Sequence, residues 1–571
     1  MRIALIQLNP TVGDVAGNTR RLEEALLDAR QRQADLCIAP ELALTGYPPR
    51  DLLDRPELKH QVDQALRRLA SSTCGGPALI VGAPRPAGAS LARTSGFLVA
   101  EDAPSPHDSP GTPLANAVLL FDEGRLIAER HKTLLPDYDV FHESRHFRPA
   151  NGNSPVRWRG RRLGLTICED LWNDPTFWAQ PRYPTDPVQQ LADQGIDLLV
   201  NISASPFSLR KPRLRRRMIA HTATRLRIPI VWVNQVGAND DLIFDGEAMV
   251  HGPDGTLRLA GPPFREAVCI HDLDGPPAAP AQPTLDDIEA LHAALTLGIR
   301  DYVRKTGFQK VLLGLSGGID SALTAALAVD AIGPENVLGV ALPSDVSSAD
   351  SLTDARELAD RLGIRLHEIP IAPAFHTLAS SLGTVLDPQP PGLMEENLQS
   401  RIRGTLLMAL SNRTGRLLLT TGNKSELAVG YCTLYGDMNG ALAVIADVPK
   451  TVVWALSRWM NREQVRIPLN SIRKPPSAEL RPGQLDQDSL PPYDVLDDII
   501  ERWVEKRESA REIIASGHDD ETVRHVLRLL RINEYKRHQA PPVLKVTRRA
   551  FGSGWRMPLA ARGPGLDPDE A

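Results

Sequence analysis

Short apolar runs alternate with amphipathic stretches through the first half of the chain. Leucine-rich and β-branched runs without polar alternation are typical of strands covered on both faces. One such stretch, residues 18–32, carries the apolar spacing of a helix. The runs predict strands over residues 2–8, 36–39, 78–81, 117–121, 162–167, 198–202 and 230–234. This half is therefore predicted to be a layered α/β domain.

The pattern changes to a regular alternation of strands and helices after residue 284. A helix over 285–306 is predicted to lead into a strand over 311–315, and further strands are predicted over 337–342, 365–370 and 416–421. Strands separated by helices favour parallel pairing through right-handed crossovers. We therefore expect a doubly wound parallel sheet, whose ligands gather at the carboxyl ends of the strands.

A proline- and alanine-rich segment, LDGPPAAPAQPT at 273–284, separates the two halves. It has no apolar period, as is typical of a linker. At 571 residues the chain is also too long for one hydrophobic core. The predicted organisation is a domain over 1–272, a linker over 273–284 and a second domain over 285–571.

Composition narrows the classes of partner and compartment. A formal net charge of −5 argues against nucleic acid and against a charged membrane surface as partners, because such binding sites are normally basic. The arginine-rich stretch 210–217 is expected to be a solvated or small-anion surface. The 5 cysteines have neither disulfide-framework nor metal-ligand spacing. With no apolar run long enough for a membrane span and an N-terminus typical of a strand, a cytoplasmic protein is expected.

Three polar residues follow strand ends in the first half. Glu41 follows LCIAP, Lys132 follows the ERH run, and Cys168 follows LGLTI. A thiol with a pKa of about 8.5 is only slightly ionised at neutral pH, so a carboxylate base and an ammonium nearby would activate it and steady an oxyanion. A cysteine after an apolar strand is more often a core residue, as we interpret Cys37, but the three residues together favour amide chemistry.

The order and context of these three residues resemble the Glu-Lys-Cys triad of the nitrilase superfamily over residues 1–270. The resemblance implies an αββα sandwich in which Cys168 is the nucleophile, Glu41 the general base and Lys132 the oxyanion stabiliser. Glu143 is either a second carboxylate of this site or a solvated or salt-bridged residue. The residues expected to bind the amide substrate, glutamine, are Tyr138, Glu169, Ser203, Ser205 and Lys211.

A phosphate-binding turn is predicted in the second half, where VLLGL runs into Ser316, Gly317, Gly318, Asp320 and Ser321. Glycines allow close approach of an anion, and the free N–H groups and dipole of the following helix favour negative charge. The spacing is not that of a Walker A loop. It resembles the pyrophosphate loop of the N-type ATP pyrophosphatases.

A second strand end, LLTTGNKSE, is expected to lie beside this loop at the same edge of the sheet. Mg²⁺ prefers hard oxygen ligands together with substrate phosphates, and Asp320 with Glu426 would supply them. Lys450, in the ADVPK segment, is expected to reach a phosphate. The sequence therefore predicts an ATP and magnesium site.

The stretches ENLQSRIRG, TTGNKSELAVGY, YGDMNGALAVIADVPKT, KPPSAELRPGQ and NEYKRHQAPP complete a resemblance to the glutamine-dependent NAD synthetases. The resemblance implies that glutamine hydrolysis supplies ammonia to amidate ATP-adenylated deamido-NAD. It assigns Thr421 and Lys450 to ATP and Glu426 to magnesium. It assigns Asn397, Arg401, Asp437 and Lys536 to deamido-NAD.

One position departs from that family pattern: Asp345 in LPSDVSS stands where a basic residue is common. Two alternatives stay open at this point. One is another ATP-pyrophosphatase amidotransferase, acting on GMP or asparagine precursors. The other is a chain in which one half has lost its chemistry and serves as a binding module. A homo-oligomer is expected in either case.

Overall fold

A computed structural model describes residues 1–87, 113–275, 285–383, 385 and 392–561. The chain divides into two compact units. The first comprises Met1–Asn239 and Ile243–Leu285, and the second comprises Asp240–Leu242 and Asp286–Ala571. Most of the predicted linker, residues 276–284, lies outside the described residues.

Strands dominate the first unit. Its helices are α1 (Val15–Gln31), α2 (Pro56–Ser72), α3 (Pro187–Asp193) and α4 (Lys211–Leu226). The strands up to residue 275 are β1 (Arg2–Gln7), β2 (Leu36–Ile38), β3 (Ala78–Pro86), β4 (Leu114–Asp122), β5 (Arg125–His131), β6 (Val156–Trp158), β7 (Arg161–Ile167), β8 (Leu198–Ser203), β9 (Ile230–Asn234), β10 (Val236–Asn239), β11 (Leu242–Asp245), β12 (Met249–His251), β13 (Leu257–Ala260) and β14 (Ala267–Asp272).

Two six-stranded sheets form the centre of this unit, in the orders β14-β1-β2-β3-β4-β5 and β13-β12-β9-β8-β7-β6. Alternate residues of both, such as Leu5 of β1 and Leu165 of β7, meet in one buried cluster. Helices α3 and α4 cover the outer face of the second sheet through a separate cluster that includes Leu191, Met218 and Trp232. Helices α1 and α2 pack against the first sheet at β14 and β3. The predicted αββα sandwich is confirmed.

Local signals explain where helices begin. The Asp14 side chain accepts from Gly17 N ahead of α1, and Asp186 accepts from two backbone N–H groups ahead of α3. Such caps satisfy N–H groups that have no partner inside the helix. In the resulting sandwich, the polar residues identified above lie at or just beyond the ends of β2, β5, β7 and β8.

The second unit begins with α5 (Asp287–Lys305) and continues as β15 (Val311–Gly314), α6 (Ile319–Ile332), β16 (Val337–Ala341), α7 (Ala349–Leu362), β17 (Arg365–Glu368), α8 (Ala372–Leu382), α9 (Leu393–Thr414), β18 (Leu417–Thr420), α10 (Lys424–Val429) and β19 (Leu442–Ala443). The remaining helices are α11 (Lys450–Met460), α12 (Leu469–Arg473), α13 (Tyr493–Ile500), α14 (Ala510–Ala515), α15 (Asp520–Ile532) and α16 (Glu534–Arg537).

A five-stranded parallel sheet organises this unit in the order β17-β16-β15-β18-β19. The chain moves outward from β15 to β17 and then returns to place β18 on the other side of β15. Helices α8 and α9 cover one face of the sheet, while α6 packs on β15 and β16 from the other. The predicted doubly wound sheet is confirmed, and its switch point lies between β15 and β18, where ligands bind in such folds.

Several predictions about individual elements were incomplete or wrong. A strand end before Lys132 was predicted, but the rest of β5 was missed because its sequence, RLIAERH, is mostly polar. Strands β6 and β10–β14 were also missed, and all of these except β14 are only three or four residues long. The arginine-rich stretch is not simply a solvated surface. Arg215 on α4 is fully buried, and its Nη2 pairs with Asp245 at 2.6 Å and Glu247 at 3.0 Å, two carboxylates at and just after the end of β11.

Among the described residues, no helix combines the length and apolar character that crossing a bilayer requires.

Candidate active sites

Strand ends bring the predicted catalytic residues of the first unit together. Glu41 follows β2, Lys132 directly follows β5, and Cys168 directly follows β7. Glu41 and Lys132 are fully buried, and Cys168 is 5% exposed. Because the two sheets pack face to face, residues at these ends converge although Glu41 and Lys132 are 91 positions apart in sequence.

A buried ammonium joins two carboxylates in this site. Lys132 Nζ donates to Glu41 Oε1 at 2.8 Å and to Glu143 Oε1 at 2.8 Å. Glu41 Oε1 also accepts from Asn116 Nδ2 at 2.7 Å, and its Oε2 accepts from Ala204 N at 2.8 Å. Glu143 is therefore a buried member of the site, not a solvated residue.

The electrostatics of this group are dominated by burial. Burial by itself would lower the pKa of Lys132, but the facing carboxylates Glu143 and Glu41 outweigh it and hold that pKa well above its usual value. Burial raises the pKa of Glu143 to about 7, against the attraction of Lys132. The Lys132 ammonium thus pairs with both Glu41 and Glu143. With a pKa of about 7, Glu143 is partly protonated near neutral pH.

Cys168 opens a short 3-10 turn, Cys168–Leu171, directly after β7. Its φ of 42° lies in the left-handed region, which is strained for a residue with a side chain. Burial, followed by the negative charge of Glu41, raises the pKa of the thiol well above its usual value. The resting group is therefore the neutral thiol, and not the thiolate.

Asp170 fixes the geometry of this turn. Its Oδ2 accepts from Ile167 N at 3.0 Å, and its Oδ1 accepts from Thr133 N at 2.9 Å and Leu134 N at 2.8 Å. One carboxylate thus ties the cysteine turn to the backbone that follows Lys132. Nothing in the sequence pattern points to Asp170 as part of this site.

The predicted glutamine-binding residues surround the same turn. Tyr138 Oη donates to Glu169 Oε1 at 2.9 Å, and Tyr183 Oη donates to the same oxygen at 3.1 Å. Burial raises the pKa of Glu169. Lys211, at the start of α4, donates to Pro206 O at 2.8 Å, and its Nζ lies 5.4 Å from the centre of the Trp172 ring.

The two serines are buried at the end of β8. Ser203 Oγ donates to Asn201 Oδ1 at 2.7 Å, and Ser205 N donates to Asn234 Oδ1 at 2.8 Å. The hydroxyl proton of Ser203 is therefore used within the protein, which leaves its oxygen as an acceptor. Ala204, between the serines, supplies the backbone N–H that holds Glu41.

In the second unit, the Ser316 loop joins β15 to α6. Gly317 has a φ of 77°, and a Cβ atom there would lie 2.2 Å from Ser351 O, so only glycine fits. Gly318 N donates to Ser316 Oγ at 3.2 Å, and Ser321 Oγ donates to Gly318 O at 3.0 Å. These two hydrogen bonds fix the conformation of the loop at the start of α6.

The predicted metal ligands meet at the switch point. Asp320 Oδ1 accepts from Asn423 Nδ2 at 2.9 Å, and its Oδ2 accepts from Lys450 Nζ at 2.5 Å. The same ammonium lies 3.5 Å from Glu426 Oε1. Thr421 lies in the same β18–α10 turn and is partly exposed.

Charge in this cluster is not fully compensated. Burial, and then the nearby Asp320 carboxylate, raise the pKa of Glu426 to about 8. Burial alone would lower the pKa of Lys450, but Asp320 and Glu426 raise it above its usual value. Asp486, a residue the sequence analysis missed, adds a further buried carboxyl that accepts from Tyr493 Oη at 2.7 Å.

The residues predicted to contact deamido-NAD cluster where α9 meets the loop after α10. Asn397 Oδ1 accepts from Thr433 Oγ1 at 2.9 Å, and Arg401 Nε donates to Leu434 O at 3.2 Å. Asp437 Oδ1 accepts from Thr433 N at 2.6 Å. A Cβ atom on Gly404 would come within 2.7 Å of Gly436 O, which explains the close approach of helix and loop.

Two further predicted positions lie at the margins. Lys536 Nζ donates to Gly430 O at 2.6 Å and Cys432 O at 2.7 Å, so its ammonium holds the loop that carries Asp437. Asp345, at the position where a basic residue was expected, lies 3.0 Å from His376 Nε2, and both side chains are exposed.

Comparisons with known proteins agree with this geometry. The carbon-nitrogen hydrolase family matches residues 2–279, and the NAD synthase family matches residues 291–540. The glutamine-dependent NAD(+) synthetase of Synechocystis sp. is 50% identical over 563 residues, which cover 98% of each chain. That of Thermotoga maritima is 40% identical over 601 residues, covering 98% of this chain and 99% of its own.

Solved structures extend the likeness to three dimensions. The glutamine-dependent NAD+ synthetase of Acinetobacter baumannii, solved in complex with ADP, has a TM-score of 0.75 at 36% identity and covers 99% of this chain and 98% of its own. The Cytophaga hutchinsonii enzyme, with a TM-score of 0.80 at 21% identity and 98% coverage of both chains, supports the fold alone. The family prediction is confirmed: the chain belongs to the glutamine-dependent NAD(+) synthetases.

Proposed function

We propose that this chain amidates deamido-NAD to NAD with ammonia from glutamine, at the expense of ATP, which gives AMP and pyrophosphate. The observation that carries the proposal is the pair of sites in one chain of this family. One is a thiol beside the buried Glu41–Lys132 pair, and the other is an anion cradle with paired acidic residues at the switch point of a parallel sheet.

Glutamine hydrolysis is assigned to Cys168, Glu41 and Lys132. Because the thiol rests in its neutral form, its proton passes to Glu41 as Sγ attacks the side-chain amide carbon of glutamine. Two N–H bonds of Lys132 go to carboxylates, and the third is available for the tetrahedral oxyanion. The protonated Glu41 then gives its proton to the leaving ammonia, and water hydrolyses the remaining thioester.

Substrate binding in the first unit is assigned to the residues around the cysteine turn. Glu169 supplies a carboxylate for the α-amino group of glutamine, and Tyr138 orients that carboxylate. Lys211 supplies a positive charge that acts on Glu169, and Ser203 and Ser205 lie at and just beyond the end of β8. The proposal matches the head group of an amino acid, which carries one positive and one negative charge.

ATP is assigned to the cradle formed by Ser316, Gly317, Gly318 and Ser321, together with Asp320, Thr421 and Lys450. The proposal is supported by the open glycine loop at the start of α6 and by its position at the switch point. Lys450 carries the positive charge that a phosphate needs. The ADP found with the Acinetobacter baumannii relative agrees with a nucleotide site in this family.

Mg²⁺ is proposed to be held by Asp320 and Glu426. The fit rests on chemistry: both are hard oxygen donors, and the carboxyl groups of Asp320, Glu426 and Asp486 all lie near the ammonium of Lys450. When bound, the ion supplies charge neutralisation to the phosphates. Asp320 and Glu426 also fix Lys450 and the turn at Asn423, so that they shape the nucleotide site themselves.

Deamido-NAD is assigned to Asn397, Arg401 and Asp437, with Lys536 acting through the loop that its ammonium holds. The nicotinate carboxylate is too poor an electrophile for ammonia. Adenylation by ATP releases pyrophosphate and turns it into a good one, and ammonia then displaces AMP. The cluster of partly exposed polar groups between α9 and the 430–439 loop supports this location.

The assembly and location of the protein are also proposals. We retain the boundaries 1–272, 273–284 and 285–571 for the two domains and their linker. A homo-oligomer is supported by helix α8, which has no fully buried side chain, and by exposed Leu378 and Leu393 nearby. Sedimentation equilibrium measures the assembly. A cytoplasmic location fits five free cysteines, and we propose no nucleic-acid or membrane partner.

The function is tested with the purified chain, ATP, Mg²⁺, deamido-NAD and either glutamine or ammonium as nitrogen source. Both nitrogen sources should give NAD. Cys168→Ala should abolish synthesis from glutamine while synthesis from ammonium survives, because the thiol serves only the first half-reaction. Absence of NAD with ammonium in wild type would refute the proposed function, and equal loss of both activities in a folded Cys168→Ala variant would refute the two-site assignment.

A further inference from the structure

An arginine outside the predicted site lies against one of its walls. The Arg182 guanidinium carbon is 3.8 Å from the centre of the Tyr138 ring. The hydroxyl of that ring donates to Glu169, the residue next to Cys168 in the chain. The guanidinium of Arg182 thus stacks on the ring of Tyr138, which forms part of the proposed glutamine pocket.

The segment that carries Arg182 is fixed by the protein and is not a loose loop end. The Asn173 side chain, which is buried, donates to Tyr183 O at 2.8 Å and Thr185 O at 2.7 Å, and accepts from Tyr183 N at 3.0 Å. Tyr183 then reaches Glu169 with its hydroxyl. The backbone directly after position 182 is therefore held by Asn173, and the Tyr183 side chain links it to Glu169, the residue that follows Cys168 in the chain.

The guanidinium of Arg182 has unused binding capacity. Within the described part of the chain it makes no hydrogen bond or ion pair, and its contact is with the ring of Tyr138. Stacking uses the flat face of a guanidinium and leaves its N–H donors at the edge, in the fork that matches a carboxylate. The side chain is exposed, so the fork can meet an anion that arrives from solvent.

We propose that Arg182 binds the α-carboxylate of glutamine and makes the first unit specific for an amino-acid amide over simple aliphatic amides. The amide carbon of glutamine lies three bonds from its α-carbon, roughly 4 Å, so the head group falls beside Glu169 when Cys168 attacks. Glu169 then takes the α-amino group and the guanidinium takes the α-carboxylate. This inference rests on the proposed function and adds a residue that fixes its substrate class.

Lys211 is the competing ligand for that carboxylate, and the test must separate the two. Lys211 already donates to Pro206 O and lies over Trp172. Its ammonium is a point charge, whereas the planar fork of Arg182 can bind both carboxylate oxygens. The experiment therefore compares Arg182→Met, Arg182→Lys and Lys211→Met, with Arg20→Met on the exposed side of α1 as a control of equal charge change.

Each variant is assayed for ammonia release from glutamine and from γ-aminobutyramide, which is glutamine without its α-carboxylate, with ATP and deamido-NAD present. Arg182→Met should raise the KM for glutamine about tenfold or more, the effect of losing a charge-assisted hydrogen bond. Its kcat, and its kcat/KM for γ-aminobutyramide, should stay within about twofold of wild type. Arg182→Lys should recover part of the loss, and Arg20→Met should match wild type.

A second measurement does not depend on turnover. In a Cys168→Ala background, calorimetric titration with glutamine should show the same weakening when Arg182→Met is added. The inference is overturned if Arg182→Met leaves the KM for glutamine unchanged, if both amides lose activity equally, or if Lys211→Met alone removes the discrimination. Failure of the proposed function itself is recognised separately, because wild type would then release no ammonia from glutamine.

Discussion

Replacing Lys132 with methionine removes the one ammonium between two buried carboxyl groups. Glu41 is fully buried and Glu143 is 5% exposed, and both accept from Lys132 Nζ at 2.8 Å. Methionine fills a similar volume, so packing changes little while the charge disappears. Synthesis from glutamine should be lost, and synthesis from ammonium should remain, because the change is confined to the first unit.

The stability change follows from the charge left behind. Removing one partner of a buried ion pair destabilises a protein by about 3–5 kcal/mol. For a domain of this size each kcal/mol lowers Tm by about 2–4 °C, so the first unit should melt roughly 6–20 °C earlier. Adding Glu143→Gln to Lys132→Met should restore part of the loss, because the amide removes one of the two charges that have lost their ammonium and still accepts from Tyr47 Oη, while Glu41 keeps its donors Asn116 and Ala204 N.

The loss should depend on pH in a defined direction. In wild type the pKa of Glu143 is raised to about 7, above its ordinary value, and the attraction of Lys132 limits that rise. In Lys132→Met the pKa of Glu143 in the folded protein rises further above its value in the unfolded chain. Between those two pKa values the folded protein therefore binds more protons than the unfolded chain. Stability therefore falls as pH rises through this window, and the Tm deficit should be small near about pH 5.5 and full near about pH 8.5.

Differential scanning calorimetry of the full chain at several pH values measures these shifts. Lys59→Met, at a partly exposed position on α2, is the matched control and should leave both Tm and its pH dependence unchanged. A Tm deficit in Lys132→Met that is equal at all pH values would contradict the reasoning. So would a double variant with Glu143→Gln that is no more stable than Lys132→Met alone.

Two further predictions concern the second unit. Asp320→Asn or Glu426→Gln should remove synthesis with either nitrogen source, and normal ammonium-driven turnover in both variants would count decisively against the ATP site. The pKa of Glu426 is raised to about 8, so ionising this carboxyl group costs stability as pH rises from its pKa in the unfolded chain to about 8. Above that pH, Glu426→Gln should also raise the Tm of the ligand-free chain, as measured by calorimetry. The 472–494 segment, where Glu479 Oε1 accepts from Ser351 Oγ at 2.6 Å and Leu480 O accepts from Gln399, should act as a lid that couples the sites. Replacing 477–480 with a Gly/Ser linker should lower synthesis and weaken the stimulation of glutaminase activity by ATP and deamido-NAD; unchanged stimulation and synthesis would show that the segment is only a surface loop.

Residues at strand ends were the most accessible to prediction from sequence. Glu41 and Cys168 each follow an apolar run, Lys132 follows a more polar strand, and a chain that leaves a strand at such a residue delivers it to the edge of a sheet. The same logic located the Ser316 loop and Glu426. Their close contacts in the structure agree with the placement, while their roles stay predictions.

Residues whose position depends on distant partners were beyond the sequence. Glu143 lies in a loop without a period, and only the fold shows that it is buried against Lys132. Arg215 was taken for a surface residue because its partners, Asp245 and Glu247, lie about thirty positions away. Asp486 belongs to a polar segment that resembles any exposed loop until Tyr493 covers it.

The salt bridge of Lys450 with Asp320 has a consequence for the protein between catalytic cycles. Without Lys450, the acidic side chains of this cluster would repel one another. The lysine is a counter-ion supplied by the chain itself, and its pairing with Asp320 stabilises the nucleotide-free protein. In the proposed ATP site, the same ammonium exchanges this partner for a phosphate when nucleotide binds. One side chain thus affects both the stability of the nucleotide-free protein and the binding of substrate. Glu426→Gln keeps the Lys450–Asp320 pair and removes a buried carboxyl group, so it should yield a more stable but inactive protein.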